Sequence, residues 1–151
     1  MTAAEALSLD FSLMTQVDVD GLADETNLRL LALAILQAEG ATGGWTIVVA
    51  IVSNDELQAL HQQFMGIDEP TDIMTFPYGD GIAGGDLAIS ADHAIARAAE
   101  WGNTPAQEVE FLFAHGVLHL LGWHDTSHHQ RAAMLARQEE LVAQWRATKN
   151  A

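Results

Sequence analysis

Five of the seven histidines fall between positions 115 and 129: His115, His119, His124, His128 and His129. His115 and His119 are four residues apart in a segment with helical apolar spacing. That separation puts both imidazoles on one helix face, one turn apart, where a single cation can take both. Neutral imidazole is the commonest metal ligand among side chains. Gly122, three residues after His119, is the type of residue that ends a helix and lets the chain turn back. Trp123-His124-Asp125 can then return a third ligand to the same side. The pattern H-x3-H-x2-G-x2-ligand is that of metzincin-type zinc sites, with Asp125 in the last position. One divalent ion is expected, and zinc suits such a nitrogen and oxygen donor set.

The residue after the first histidine decides the chemistry. Metalloproteases carry a glutamate there as general base, whereas this chain has Gly116 in HGVLHLLGWHD. Peptide hydrolysis by that route is excluded. With no Cys, thiolate zinc fingers, iron–sulfur clusters and cysteine nucleophiles are excluded as well.

The charge balance restricts partners. Six Lys+Arg face 21 Asp+Glu, for a formal net charge of −15, and nothing basic lies between Arg29 and Arg97. Phosphate neutralisation supplies most nucleic-acid affinity, so this surface should bind free RNA weakly unless a metal or a basic partner protein intervenes. No apolar run reaches the roughly 18 residues of a membrane span. The start, MTAAEALSLD, has no basic stretch and carries Glu5 and Asp10, unlike a signal peptide. A soluble cytoplasmic protein with no membrane partner is expected.

Local patterns place these residues in a frame. The length of 151 residues fits one domain, 1–151. Alternation over 7–13 predicts a half-buried strand, and 22–39 a Leu/Ala-rich helix stopped by Gly40. The β-branched run 45–52 predicts a buried strand. Ser53 with Glu56 opens a helix over 54–64 with Leu57, Leu60 and Phe64 on one face. Residues 73–76 and 85–90 predict strands separated by a turn, and 91–101 a short helix. Thr104, Pro105 and Gln107 cap a helix running to about Leu121, with Phe111, Leu112, Val117, Leu118, Leu120 and Leu121 packing it into a rigid element. A last helix covers 128–147, with Met134, Leu141 and Trp145 inward. Strands concentrated in the first 90 residues predict an α+β domain: a small mixed sheet of four strands packed with about five helices, one of them a metzincin-like metal helix.

HGVLHLLG followed by an aromatic residue and a His/Asp pair resembles the signature of the YbeY endoribonuclease family, the bacterial rRNA maturation factors. Two further blocks agree in order and spacing. FMGIDEPTDIMTFP at 64–77 resembles the family's aromatic-Arg-Gly-x-Asp-x-Pro-Thr-Asp-Val-Leu-Ser-Phe-Pro, and Gly85-Asp86-Leu87 its Gly-Asp-Ile strand. The resemblance spans about residues 5–147. It implies a single metal held by three histidines, single-strand RNA cleavage, and 16S rRNA 3′-end maturation and ribosome quality control with the small subunit.

Two departures stand out. The family's third ligand is the His of Gly-aromatic-Asp-His, and here the pair is inverted, so Asp125 falls in the ligand position and His124 is the alternative. Carboxylate oxygen is a legitimate zinc ligand. Met65 replaces an arginine that the family uses and that would clamp a scissile phosphate; its expected role is packing.

The candidate catalytic residues are His115 and Asp72, and the candidate metal ligands are His115, His119 and Asp125, or His124. Asp72 is placed either to hydrogen-bond a ligand imidazole or to cap a turn. Asp68, Thr71, His61 and His93 are expected to be structural or exposed, His128 and His129 solvated, and Trp45 and Trp101 core or rim aromatics. The metal would lower the pKa of a bound water and polarise a phosphoryl oxygen, giving a nucleophile or a base for the ribose 2′-OH. Two other functions fit the same residues: a non-catalytic, metal-containing ribosome-biogenesis factor, and a metal-dependent hydrolase with a non-RNA substrate.

Overall fold

The computed structural model describes residues 5–17 and 21–149; residues 1–4, where the leader reading begins, lie outside them. The elements follow the order β1 (Ser8–Thr15), α1 (Glu25–Ala38), β2 (Gly44–Val52), α2 (Asn54–Met65), β3 (Ile73–Gly79), β4 (Ile82–Ser90), α3 (Ala91–Trp101), α4 (Pro105–Leu120) and α5 (His128–Lys149). They form one four-stranded sheet in the order β1-β2-β4-β3. β1, β2 and β4 run parallel and β3 pairs antiparallel to β4. This is the expected mixed sheet with five helices in an α+β domain.

Side-chain capping sets where the helices begin. Asp24 takes an extended conformation and accepts from the Asn27 amide, so α1 starts at Glu25 rather than at position 22. Leu22 is apolar because it is buried, not because it is helical. Ser53, Ser90 and Thr104 cap α2, α3 and α4 in the same way, and Thr104 with Gln107 forms a complete capping box. The segment read as a turn around residues 78–84 is a tighter hairpin. Asp80 and Gly81 both have positive φ, 53° and 78°, as a two-residue type I′ turn requires, so both strands extend to meet it.

The main core lies between one face of the sheet and α1, α4 and α5. Ile47, Val49, Ile51, Leu87 and Ile89 meet Leu31, Ile35, Phe113, Val117 and Leu118, all fully buried or nearly so. Two buried carboxylates tie the helices together. Glu110 on α4 accepts from Asn27 of α1 and from the Arg146 guanidinium of α5, at 2.7 Å for Nη2. Glu108 accepts from Asn103 at 2.8 Å. The ion pair to Arg146 makes the Glu110 charge tolerable where it is buried, and Glu108 is hydrogen-bonded by the neutral Asn103 amide.

A smaller cluster on the opposite sheet face holds Val52, Leu57, Met74 and Ala88 under α2. Phe64 does not join it as a buried residue. It is largely exposed and stacks edge-on against Phe76 at 5.2 Å. Trp45 packs on the core, whereas Trp101 is 67% exposed.

α4 lies very close to the sheet. A Cβ at Gly116 would meet Ile73 Cδ1 at 2.9 Å and both Leu87 methyls at 3.0 Å. The position after His115 therefore faces the sheet, where a glutamate would be buried away from any ligand of the histidines.

Candidate metal centre

The C-terminal end of α4 builds the site. Leu121 caps the helix and Gly122 follows with φ of 101°. The Gly122 amide donates to the His119 carbonyl at 3.0 Å and the Trp123 amide to the Leu118 carbonyl at 3.0 Å. This pair of bonds is a Schellman ending, which needs the left-handed backbone that glycine adopts without strain. The reversal carries residues 123–125 back over the histidine face.

Three side-chain atoms converge there. His115 Nε2 and His119 Nε2 are 3.2 Å apart, and each lies 3.3 Å from Asp125 Oδ2. The rings cross nearly edge-to-face, at 85°. The other ring nitrogens fix the tautomers. His119 Nδ1 lies 3.0 Å from the Trp123 carbonyl oxygen, which can only accept, so Nδ1 carries the proton. His115 Nδ1 donates to Gln138 Oε1 at 2.9 Å. Both Nε2 atoms thus present lone pairs, and Asp125 adds a carboxylate oxygen.

Three acceptors so close together repel one another unless a cation sits among them. A tetrahedral ion with ligands at about 2.0–2.1 Å separates its ligand atoms by roughly 3.3–3.4 Å. The observed spacings match that tetrahedral edge, and these three residues can hold a metal ion. The donor set, two imidazoles and one carboxylate with a side left open to solvent, is of the catalytic kind rather than the closed structural kind.

The partners behind the histidines come from distant sequence. Gln138 is on α5, half-way along its inward stripe of Met134, Leu141, Val142 and Trp145. The Trp123 indole donates to Glu39 at 2.5 Å, and Glu39 also accepts from Arg137 Nη2 at 2.9 Å. Arg137 is held above its ordinary pKa, chiefly by its hydrogen bond to Glu39, so it stays charged. Neither Gln138 nor Glu39 was expected from the sequence. The signal for Gln138 was its place at helical spacing among apolar residues.

The centre opens into a cleft of about 530 Å³, lined by His115, His119 and Asp125 on one side and by His61, Met65, Asp72 and Thr75 among others. Asp72 reaches this cleft, but the ligand imidazoles have other partners. Gln138 and the Trp123 carbonyl take the imidazole positions, and among the described residues the Asp72 carboxylate has no hydrogen-bond partner, so it makes neither the imidazole bond nor the turn cap given as its alternatives. His124 is exposed on the cleft wall and stands outside the three-atom cluster. Met65 is 62% exposed and lines the cleft instead of packing. His61, expected to be structural or exposed, is half-buried in the same wall. Asp68 accepts from Gln58 at 3.0 Å and so ties the 66–72 loop to α2. His93, near the start of α3, and the exposed His128 and His129 at the start of α5 line no part of the cleft.

The structure defines a small α+β domain with a His-His-Asp cluster, able to hold a metal ion, at the C-terminal end of one helix and open to a cleft. Comparison with known proteins narrows the class. The family model described as Endoribonuclease YbeY matches residues 14–146, and the chain belongs to that family. It is 36% identical over 145 residues to the Endoribonuclease YbeY of Chloroflexus aurantiacus, covering 87% of this chain and 94% of the relative. It is 34% identical over 140 residues to that of Bacillus licheniformis, covering 84% and 87%. The solution structure of TM1509 from Thermotoga maritima superposes with a TM-score of 0.62 at 28% identity, over 92% of this chain and 93% of that one.

Proposed function

We propose that this chain is a metal-dependent, single-strand endoribonuclease of 16S rRNA 3′-end maturation and ribosome quality control, using one zinc ion held by His115, His119 and Asp125. The observation that carries the proposal is the meeting of three lone-pair donors at 3.2–3.3 Å. Zinc bound there would supply Lewis acidity toward water and toward a phosphoryl oxygen. The protein's own groups do the rest. Gln138 and the Trp123 carbonyl keep both imidazoles in the ligating tautomer. Asp72, with its carboxylate free of protein partners in the cleft, takes the proton of the attacking oxygen, from water or the ribose 2′-OH. Thr71 and Asp68 shape the loop that presents it.

The partners in this reading are rRNA within the small subunit and a basic protein that offsets the net charge of −15. No helix among the described residues is long and apolar enough to cross a membrane. The non-catalytic reading is favoured by one observation, that no Lys or Arg lines the cleft.

Incubating the zinc-loaded chain with single-stranded RNA, and with the same RNA annealed to its complement, separates the two. Cleavage of the single strand with the duplex spared is expected. Intact single strand with zinc still bound would favour the non-catalytic factor.

A further inference from the structure

We infer that His61, on α2, forms a phosphate subsite in the cleft that the His115–His119–Asp125 cluster also lines. The inference rests on the endoribonuclease reading for its substrate, a single-stranded polynucleotide, and on four observations for its place.

His61 is half-buried and lines the same cleft as the three converging donors. Its Nδ1 lies 2.9 Å from the Glu69 carbonyl oxygen, which can only accept, so Nδ1 carries a proton and Nε2 is the ring nitrogen left without a protein partner. Met65, one turn later on the same helix face, brings no charge, and no Lys or Arg lines the cleft. Three of the six basic residues are committed elsewhere, Arg137 to Glu39, Arg146 to Glu110 and Arg29 to the Leu9 carbonyl, and Arg97, Arg131 and Lys149 also lie outside the cleft lining. Asp72 and Asp125 make the cleft acidic. A phosphodiester entering it needs a cation beside the one the donor cluster would hold; two histidines outside that cluster line the cleft, His61 and His124, and His61 is the one whose ring is fixed by a backbone carbonyl.

The geometry suits the task. Nδ1–H stays on the Glu69 carbonyl, and the imidazolium formed as a phosphate binds would donate Nε2–H to a non-bridging oxygen. The Glu69 bond holds the ring while the substrate exchanges, and Gln58 anchors the same loop through Asp68. His61 would grip a phosphate of the bound strand and place the neighbouring one at the metal centre. This is binding and positioning, with no proton transfer to the reacting atoms.

The test uses the full chain loaded with zinc and a short oligodeoxynucleotide, which lacks the 2′-OH and serves as a binding probe. Affinity is measured by fluorescence anisotropy across a salt series for the wild type, His61→Asn and His61→Lys, with zinc content checked by elemental analysis. Asn preserves a donor for the Glu69 carbonyl but carries no charge; Lys restores a cation. His61→Asn should bind about tenfold more weakly, as expected for loss of one charged hydrogen bond. Its salt slope should fall by about 0.7, the share of one phosphate contact on a single strand. His61→Lys should recover both, and zinc content should stay at the wild-type value in each. Equal affinity and slope for wild type and His61→Asn would overturn the subsite and leave His61 as a loop fastener. If the wild type cleaves no RNA yet binds the probe through His61, the subsite stands and the nuclease reading falls.

Discussion

With Asp125 as the proposed third ligand, a carboxylate at position 125 would change the charge of the metal site as well as its donor. Two neutral imidazoles and one carboxylate leave a divalent ion with a net charge of about +1, where three imidazoles would leave about +2. Asp125→Ala should weaken zinc binding by more than the roughly 10–100-fold typical of losing an outer partner. His124→Ala should leave it unchanged, because that ring stands outside the cluster. Asp125→His should keep one zinc per chain. Competition against a chromophoric chelator measures all three, and a larger loss for His124→Ala than for Asp125→Ala would reassign the ligand. Met65→Arg belongs to the same scale. The side chain is exposed at the cleft, so the fold should accept arginine. RNA cleavage should rise with zinc content constant, since a guanidinium stabilises charge developing on a phosphate. No gain would favour the non-catalytic reading. Asp125 was legible because helix spacing and one glycine place it; for Asp72 the sequence left a bond to a ligand imidazole and a turn cap both open, and its place in the cleft depends on how the 66–72 loop meets α4.

Two elements do work that local sequence hides. α5 carries Gln138 directly behind His115, and Arg137 behind Glu39 and Trp123. Gln138→Ala would leave the His115 Nδ1 proton without its acceptor and free the ring to turn. Zinc affinity should fall about 10–100-fold with helicity retained by circular dichroism; unchanged affinity would show that the tautomer is set without α5. The starts of α2 and α4 were readable because Ser53 and Thr104 act on amides three residues away. The tie between residues 115 and 138 depends on how two helices pack, which no local pattern encodes. The β3–β4 pair supplies a pH prediction. Tyr78, the single tyrosine, is pushed up to about 12 by burial and then by the Asp86 carboxylate that accepts its hydrogen bond at 2.5 Å. The protonated phenol is the favoured form in the fold. Its stabilising contribution is whole below the unfolded value of 10.0 and is lost as pH rises through about 12. Tyrosinate absorbance should therefore appear near pH 12 in the native chain; a midpoint at 10.0 would remove the Asp86 bond from the account.

Over the whole molecule, charge and site pull in opposite directions. A net charge of −15 opposes a polyanion, and the proposed zinc centre would offer a single strong contact. Free RNA should bind weakly with a shallow salt dependence, because few phosphates can be neutralised. Nanomolar affinity at physiological salt would contradict this. The architecture was legible almost entirely, since alternation, capping and glycine stops are local signals that agree with one another. The cleft was not, because α2, the 66–72 loop and the end of α4 are brought together by long-range packing that no local pattern encodes. The most direct test of the central claim follows RNA cleavage by the full chain against its zinc content, through chelation and zinc return, beside His119→Ala. The account predicts that cleavage disappears with the zinc, returns with it, and is absent in the variant, which should hold none. Undiminished cleavage by protein that elemental analysis shows to be free of metal would contradict it.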